Sequence, residues 1–298
     1  MADMTTAERN SGDAAKANTP ASPQTPATGM GKTPVAPAMR RGKNIIAVAS
    51  GKGGVGKTWF SITLSHAMAK AGKKVLLFDG DLGLANIDIQ IGVMPRRDLS
   101  DVVRGRMGLD KIIHRYEEGG FDIIAGRSGN GILSALPAQH LAMLRDQLLE
   151  IADNYDVVIV DLGAGIDRTL FMFCSAAART LMIVNDESTS LTDSYAIIKR
   201  GSATGLSKHI SIIINQAANL IEGERTYNTI KKACENFLRL TPPLAGVIRQ
   251  DSRVKESIRY QTPILIRSPN ADAAEDVQKI ARHVMAGLAE TRKTAASA

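Results

Sequence analysis

Gly51-Lys52-Gly53-Gly54-Val55-Gly56-Lys57-Thr58 decides how the rest of this chain is read. A short apolar run, Ile45-Ile46-Ala47-Val48-Ala49, leads into it, and a helical pattern starts near Lys57. Strand, glycine-rich turn and helix form the context in which G-x-x-x-x-G-K-[ST] is a phosphate-binding loop. The glycines let the backbone wrap tightly and aim its N–H groups inward at phosphate oxygens. The helix that follows adds the partial positive charge of its N-terminus. Lys57 is placed to reach the β- and γ-phosphates, and the Thr58 hydroxyl is placed to ligate Mg²⁺. A chance match at the four fixed positions turns up roughly once per hundred chains of this length. The flanking strand and helix make chance rarer still.

The same alternation continues outward. A helix of about a dozen residues carries Ile62, Leu64, Ala67, Met68 and Ala71 on or near its buried side, and Gly72 is placed to end it. Lys74-Val75-Leu76-Leu77-Phe78-Asp79 reads as a second buried strand, giving a right-handed βαβ unit with parallel strands. Residues 121–126 form a short strand ending in a glycine turn, and 138–153 an amphipathic helix. Asp156-Val157-Val158-Ile159-Val160-Asp161 is a buried strand that ends in a carboxylate and runs into Leu162-Gly163-Ala164-Gly165. Further strands are expected at 180–184, 209–215 and 244–248, separated by helices. The last helix is expected over 272–289. These near-continuously apolar strands predict an α/β fold, a doubly wound, mostly parallel sheet covered on both faces. Ligands of such sheets lie beyond the carboxyl ends of the strands. That rule gathers the phosphate loop, Asp81 and Asp161 into one site.

Composition sets the limits. The 298 residues carry a net charge of +7 and only two cysteines, Cys174 and Cys234. The cysteines form no C-x-x-C pair, which disfavours an iron–sulfur carrier, and reduced, buried thiols are expected. Five scattered histidines offer no zinc set. No apolar run is long enough to span a bilayer. Residues 1–42, rich in Ala, Thr, Pro and Ser, are expected to be a disordered tail. Residues 43–290 then form the folded domain, and 291–298 a short flexible end.

Within the cluster, Asp161 fits the carboxylate that holds Mg²⁺ directly or through water, with Gly163 and Gly165 behind it as a loop able to sense the γ-phosphate. Asp81 is the candidate for orienting the attacking water.

The loop at 51–58, with Lys52 near its start, resembles the deviant Walker A motif of the MinD/ParA ATPases. The resemblance extends to Phe78–Asp88, similar to the family's first switch, and to Asp161–Gly165, similar to its second. It implies a P-loop ATPase of ATP, ADP and Mg²⁺ that forms an ATP-dependent homodimer. Lys52 would reach the partner's phosphates, Asp81 would activate water, and Asn215 would read the adenine edge. The nucleotide-binding set is then Gly51, Lys52, Gly53, Gly54, Val55, Gly56, Lys57, Thr58, Trp59, Asp161, Gly163 and Asn215. Thr58 and Asp161 serve the metal, and Lys52, Lys57 and Asp81 serve catalysis.

Glu187–Ala196 and Gly83–Asn86 are similar to the flagellar-placement branch, FlhG/FleN. That branch implies control of flagellar number or position. Its partners would be an FlhF-like GTPase, a flagellar transcription regulator or a basal-body protein. The expected location is cytoplasmic, peripheral at the inner membrane or a cell pole. Residues 1–42 hold no D-Q-A-x-x-L-R-like activator segment. The chain's end lacks bulky apolar anchors, so membrane contact is expected to be weak or indirect. The alternative is a ParA-like partition ATPase on nucleoid DNA, with Arg249, Arg253, Lys255 and Arg259 as a basic patch.

Overall fold

A computed structural model describes residues 40–126, 133 and 136–296, with 291–296 described by their backbone alone. Most of the stretch expected as an N-terminal tail lies outside these residues. The folded unit spans Met39–Ala298.

The chain alternates strand and helix as the apolar runs dictate. β1 is Gly42–Ser50 and α1 Lys57–Lys70. β2 is Val75–Gly80, followed by two short helices, α2 at Ile87–Ile91 and α3 at Leu99–Val103. β3 is His114–Tyr116 and β4 Phe121–Ile124. Then come α4 Ala138–Ala152, β5 Val157–Ala164, α5 Arg168–Ala176 and β6 Ala177–Val184. The last third holds α6 Ser188–Ser202, β7 Ile210–Ala217, α7 Leu220–Leu238 and β8 Leu244–Arg249. It closes with α8 Ser252–Arg259, α9 Ile264–Arg267 and α10 Asp272–Ala296.

The sheet order is β3-β4-β2-β5-β1-β6-β7-β8. All neighbours pair in parallel except β3 with β4. Strand alternation splits the core in two. Ile45, Ala47 and Ala49 point to the layer that holds α4, α5 and α6. Ile46 and Val48 point to the layer that holds α1 and α10. Both faces are therefore dry, which is why β1 reads as an unbroken apolar run. Each fully buried Ile or Val side chain contributes about 1.5–3 kcal/mol.

Three features differ from the expectation. β3 is an antiparallel edge of three residues, His114-Arg115-Tyr116, too short and too charged to show an apolar period. α2 and α9 are helices of five and four residues, shorter than any periodic signal. α10 continues to Ala296, past Ala289 where its apolar spacing stops. β1 lies between β5 and β6, so the chain departs from it toward both sides of the sheet. The crevice that this reversal opens lies at the carboxyl end of β1, where the glycine loop begins.

Candidate nucleotide-binding site

The loop wraps a cleft of about 720 Å³, bordered by Lys52 to Trp59, Gly80 to Leu84, Gly163, Ala164 and Asp167 to Thr169. Its shape depends on two glycines with different duties. Gly56 has φ +87°, and a Cβ there would lie 2.4 Å from the Asn215 amide nitrogen. Gly51 abuts α6: a Cβ would lie 2.5 Å from the Asp193 backbone. Any larger residue at either position displaces the loop.

Asp161 lies near the carboxyl end of β5 and is 0% exposed. Its Oδ2 accepts from the Thr58 hydroxyl at 2.7 Å and its Oδ1 from the Ser61 hydroxyl at 2.9 Å. The Lys57 ammonium lies 3.5 Å from Oδ1. A buried carboxylate needs this much company, because an unpaired charge out of water is costly. The Thr58 hydroxyl and Asp161 carboxylate stand together as a Mg²⁺ site of this kind requires: one direct oxygen ligand and one carboxylate acting through water. Among the described residues no three His, Cys, Asp or Glu side chains gather to hold a metal. The fit is thus to a cation that shares phosphate oxygens rather than to one caged by protein.

Asp81 is half-buried at the end of β2. Its Oδ1 accepts from Leu84 N–H at 2.9 Å and lies 3.3 Å from where a Gly163 Cβ would be. The loop after β2 therefore touches the carboxyl end of strand β5 at the cleft. Lys52 is half-buried beside the cleft. Its ammonium pairs with the exposed Glu187 carboxylate, which also accepts from the Asn185 amide at 2.7 Å. Those two donors hold the Glu187 carboxyl below the usual range.

Asn215 and Trp59 are placed differently from the rest. Asn215 does not border the cleft. It lies beneath the loop, 4% exposed, and donates its amide to the Val55 carbonyl at 2.7 Å. Trp59 touches the cleft but is 5% exposed and packs in the α1–α10 layer.

Residues 46–264 match the CobQ/CobB/MinD/ParA nucleotide binding domain. The chain belongs to this family. It is similar to the antiactivator FleN of Pseudomonas aeruginosa, 36% identical over 241 residues, covering 80% of this chain and 85% of FleN. It is similar as well to the flagellum site-determining protein YlxH of Helicobacter pylori, 32% identical, covering 79% and 80%. Among solved structures it resembles the septum site-determining protein MinD of Pyrococcus horikoshii complexed with Mg-ADP. That match has TM-score 0.65 and 25% identity, over 83% of this chain and 96% of the other.

Two residues of this MinD/ParA-family site escape a motif reading. Ser61 sits one helical turn past Lys57 and shares Asp161 with Thr58. Its spacing, i+4 from the motif lysine, is the signal. Asp79 has the larger role. It is 1% exposed, and its carboxylate accepts the backbone N–H groups of Asp81, Asn86 and Ile87 at 3.2, 3.1 and 3.3 Å. It thereby caps α2 from β2 and ties down the whole 81–87 loop.

Burial, and secondly the nearby Asp161 charge, push the Asp79 carboxyl up to about 8, against the opposing pull of the Ile87 and Asp81 N–H groups. The folded chain thus holds a proton that the unfolded chain has lost. The resulting stability is full below pH 3.8 and falls as pH rises toward 8. In Asp79→Asn this loss disappears: the melting temperature falls less between pH 5 and 8 than in the wild type. Parallel curves for the two proteins would show that Asp79 is ionised throughout. Asn also gives up one oxygen acceptor, so the variant is less stable than the wild type at pH 5.

Proposed function

We propose that this chain is an ATP-binding and ATP-hydrolysing switch whose nucleotide state sets its assembly, and that it limits the number or placement of flagella. The observation that carries the assembly half is the position of Lys52. Lys57, Thr58 and Asp161 cluster as the residues assigned to phosphate and metal. Lys52 stands outside that set, at the cleft mouth, held by one exposed carboxylate. An exposed pair of this sort is worth little, so the lysine is released readily to phosphates of a second subunit. Similarity to FleN and YlxH supports the flagellar half.

The steps follow from the residues. Loop N–H groups and Lys57 neutralise the phosphates. Thr58 and Asp161 would hold Mg²⁺, which would supply positive charge against the phosphate oxygens. Asp81 orients water toward the γ-phosphate, on the side where its loop meets Gly163. Asn215, its amide committed to the Val55 carbonyl beneath the loop, braces the phosphate loop. Loss of the γ-phosphate releases the 163–165 loop and the dimer with it.

The partners of the ATP-bound dimer are an FlhF-type GTPase or a flagellar transcription regulator. No helix among the described residues is long and apolar enough to cross a membrane. The partition reading keeps only part of its basic patch, since Lys255 and Arg259 stay exposed while the other two arginines are paired. Arg249 is bound to Asp276 and Asp272, and Arg253 to Asp251. Arg259 leans over the Tyr260 ring.

Light scattering of the purified protein should show its mass double with a non-hydrolysable ATP analogue and stay unchanged with ADP. Cells lacking the protein should show altered flagellar number or position. Normal flagella beside misplaced DNA would favour partition instead.

A further inference from the structure

We infer that Arg168 is a γ-phosphate reader: it makes the cleft select a nucleoside triphosphate over a diphosphate. The inference rests on the reading of the cleft as an ATP site. Arg168 is the first residue of α5 and is exposed at the cleft wall that also carries Asp81 and Gly163. Among the described residues it has no hydrogen bond, ion pair or ring contact. Its neighbours show how unusual that is. Arg200, close by, donates to the Ile166 carbonyl at 3.4 Å and stacks 4.6 Å over Phe171. Asp167, next to Arg168, spends its carboxylate as the α5 cap, accepting Leu170 N–H at 2.7 Å.

A cation in the first turn of a helix also opposes the positive end of the helix dipole. Arg168 therefore stands where its charge is locally unfavourable and unpaired, facing a cleft built for anions. A bound phosphate reverses both penalties. The planar guanidinium donates two parallel N–H bonds to phosphate oxygens, which an ammonium cannot match. Position decides which phosphate is involved. Lys57 and the loop surround the inner end of the chain of phosphates. Arg168 follows the 163–165 loop, whose Gly165 takes φ +113°. Gly163 adjoins Asp81, the residue assigned to the attacking water. That is the side of the terminal phosphate.

Calorimetric titration with Mg²⁺ and either ADP or the β,γ-imido analogue of ATP tests this, at a protein concentration where light scattering reports monomer. Arg168→Ala should weaken the triphosphate analogue about tenfold, or about 1.4 kcal/mol, and change ADP affinity less than about twofold. Arg168→Lys should recover part of the loss, because charge returns without the fork. Unchanged analogue affinity, or equal losses for both nucleotides, would overturn the role of Arg168 while leaving the ATP site intact. A wild-type chain that binds neither nucleotide would overturn the site and the role together.

Discussion

Lys52→Ala should abolish ATP-dependent dimerisation while each monomer still binds nucleotide within a few-fold of wild type. The expectation follows from what Lys52 does and does not touch. It is absent from the Lys57–Thr58–Ser61–Asp161 group to which phosphate and metal binding are assigned. Its tie is to Glu187, exposed on the segment leading into α6. Removing the lysine leaves no buried charge behind, so folding is untouched. What is lost is a cation at the cleft mouth, where a second subunit's phosphates would arrive with most of their water removed and each charge counts for more. Glu187→Gln separates this from simple loss of the pair. It frees Lys52 without deleting it, and dimerisation with the ATP analogue should persist. Light scattering decides the matter: an Ala variant that dimerises like the wild type would end the cross-subunit role of Lys52.

Asp81→Ala should keep ATP binding and dimerisation but lower hydrolysis by roughly 10²–10⁴-fold, the usual contribution of a residue that positions or deprotonates the nucleophile. The variant should therefore accumulate as an ATP-locked dimer. Asp81 also has a structural duty, accepting Leu84 N–H at 2.9 Å. Asp81→Asn keeps an acceptor for that bond and removes the carboxylate's charge and basicity. Both variants should fail to turn over if Asp81 serves the water. Full activity in Asp81→Asn would reduce its role to holding the loop. Single-turnover phosphate release with preloaded ATP gives the measurement.

How much of this was visible before folding varies residue by residue. The loop at 51–58 announces itself because phosphate binding needs glycines and a lysine at fixed offsets along one stretch of chain. Asp161 is visible for a related reason, as a carboxylate closing an apolar strand. Asp79 carries the same signature at the end of β2. Its task is different: it caps α2 and shares the low-dielectric interior with Asp161. Only the neighbouring strand separates those roles, since Asp79 and Asp161 are register partners across β2 and β5. Glu187 and Arg168 were illegible as site residues. The first acts through a lysine 135 residues away. The second shows its lack of a partner only when its neighbours are in place.

Local chemistry along the chain thus determined the fold class, the phosphate loop and the set of strand-end carboxylates, because each needs only spacing and periodicity. Tertiary structure decided what lies next to what. It sent Asn215 beneath the loop and buried Trp59 in the layer of α1 and α10. It bound Arg249 and Arg253 into ion pairs, left Arg168 at the cleft without a partner among the described residues and latched Lys52 onto Glu187. Charge and hydrogen bonding fall off over a few ångströms, and sequence separation does not measure that distance.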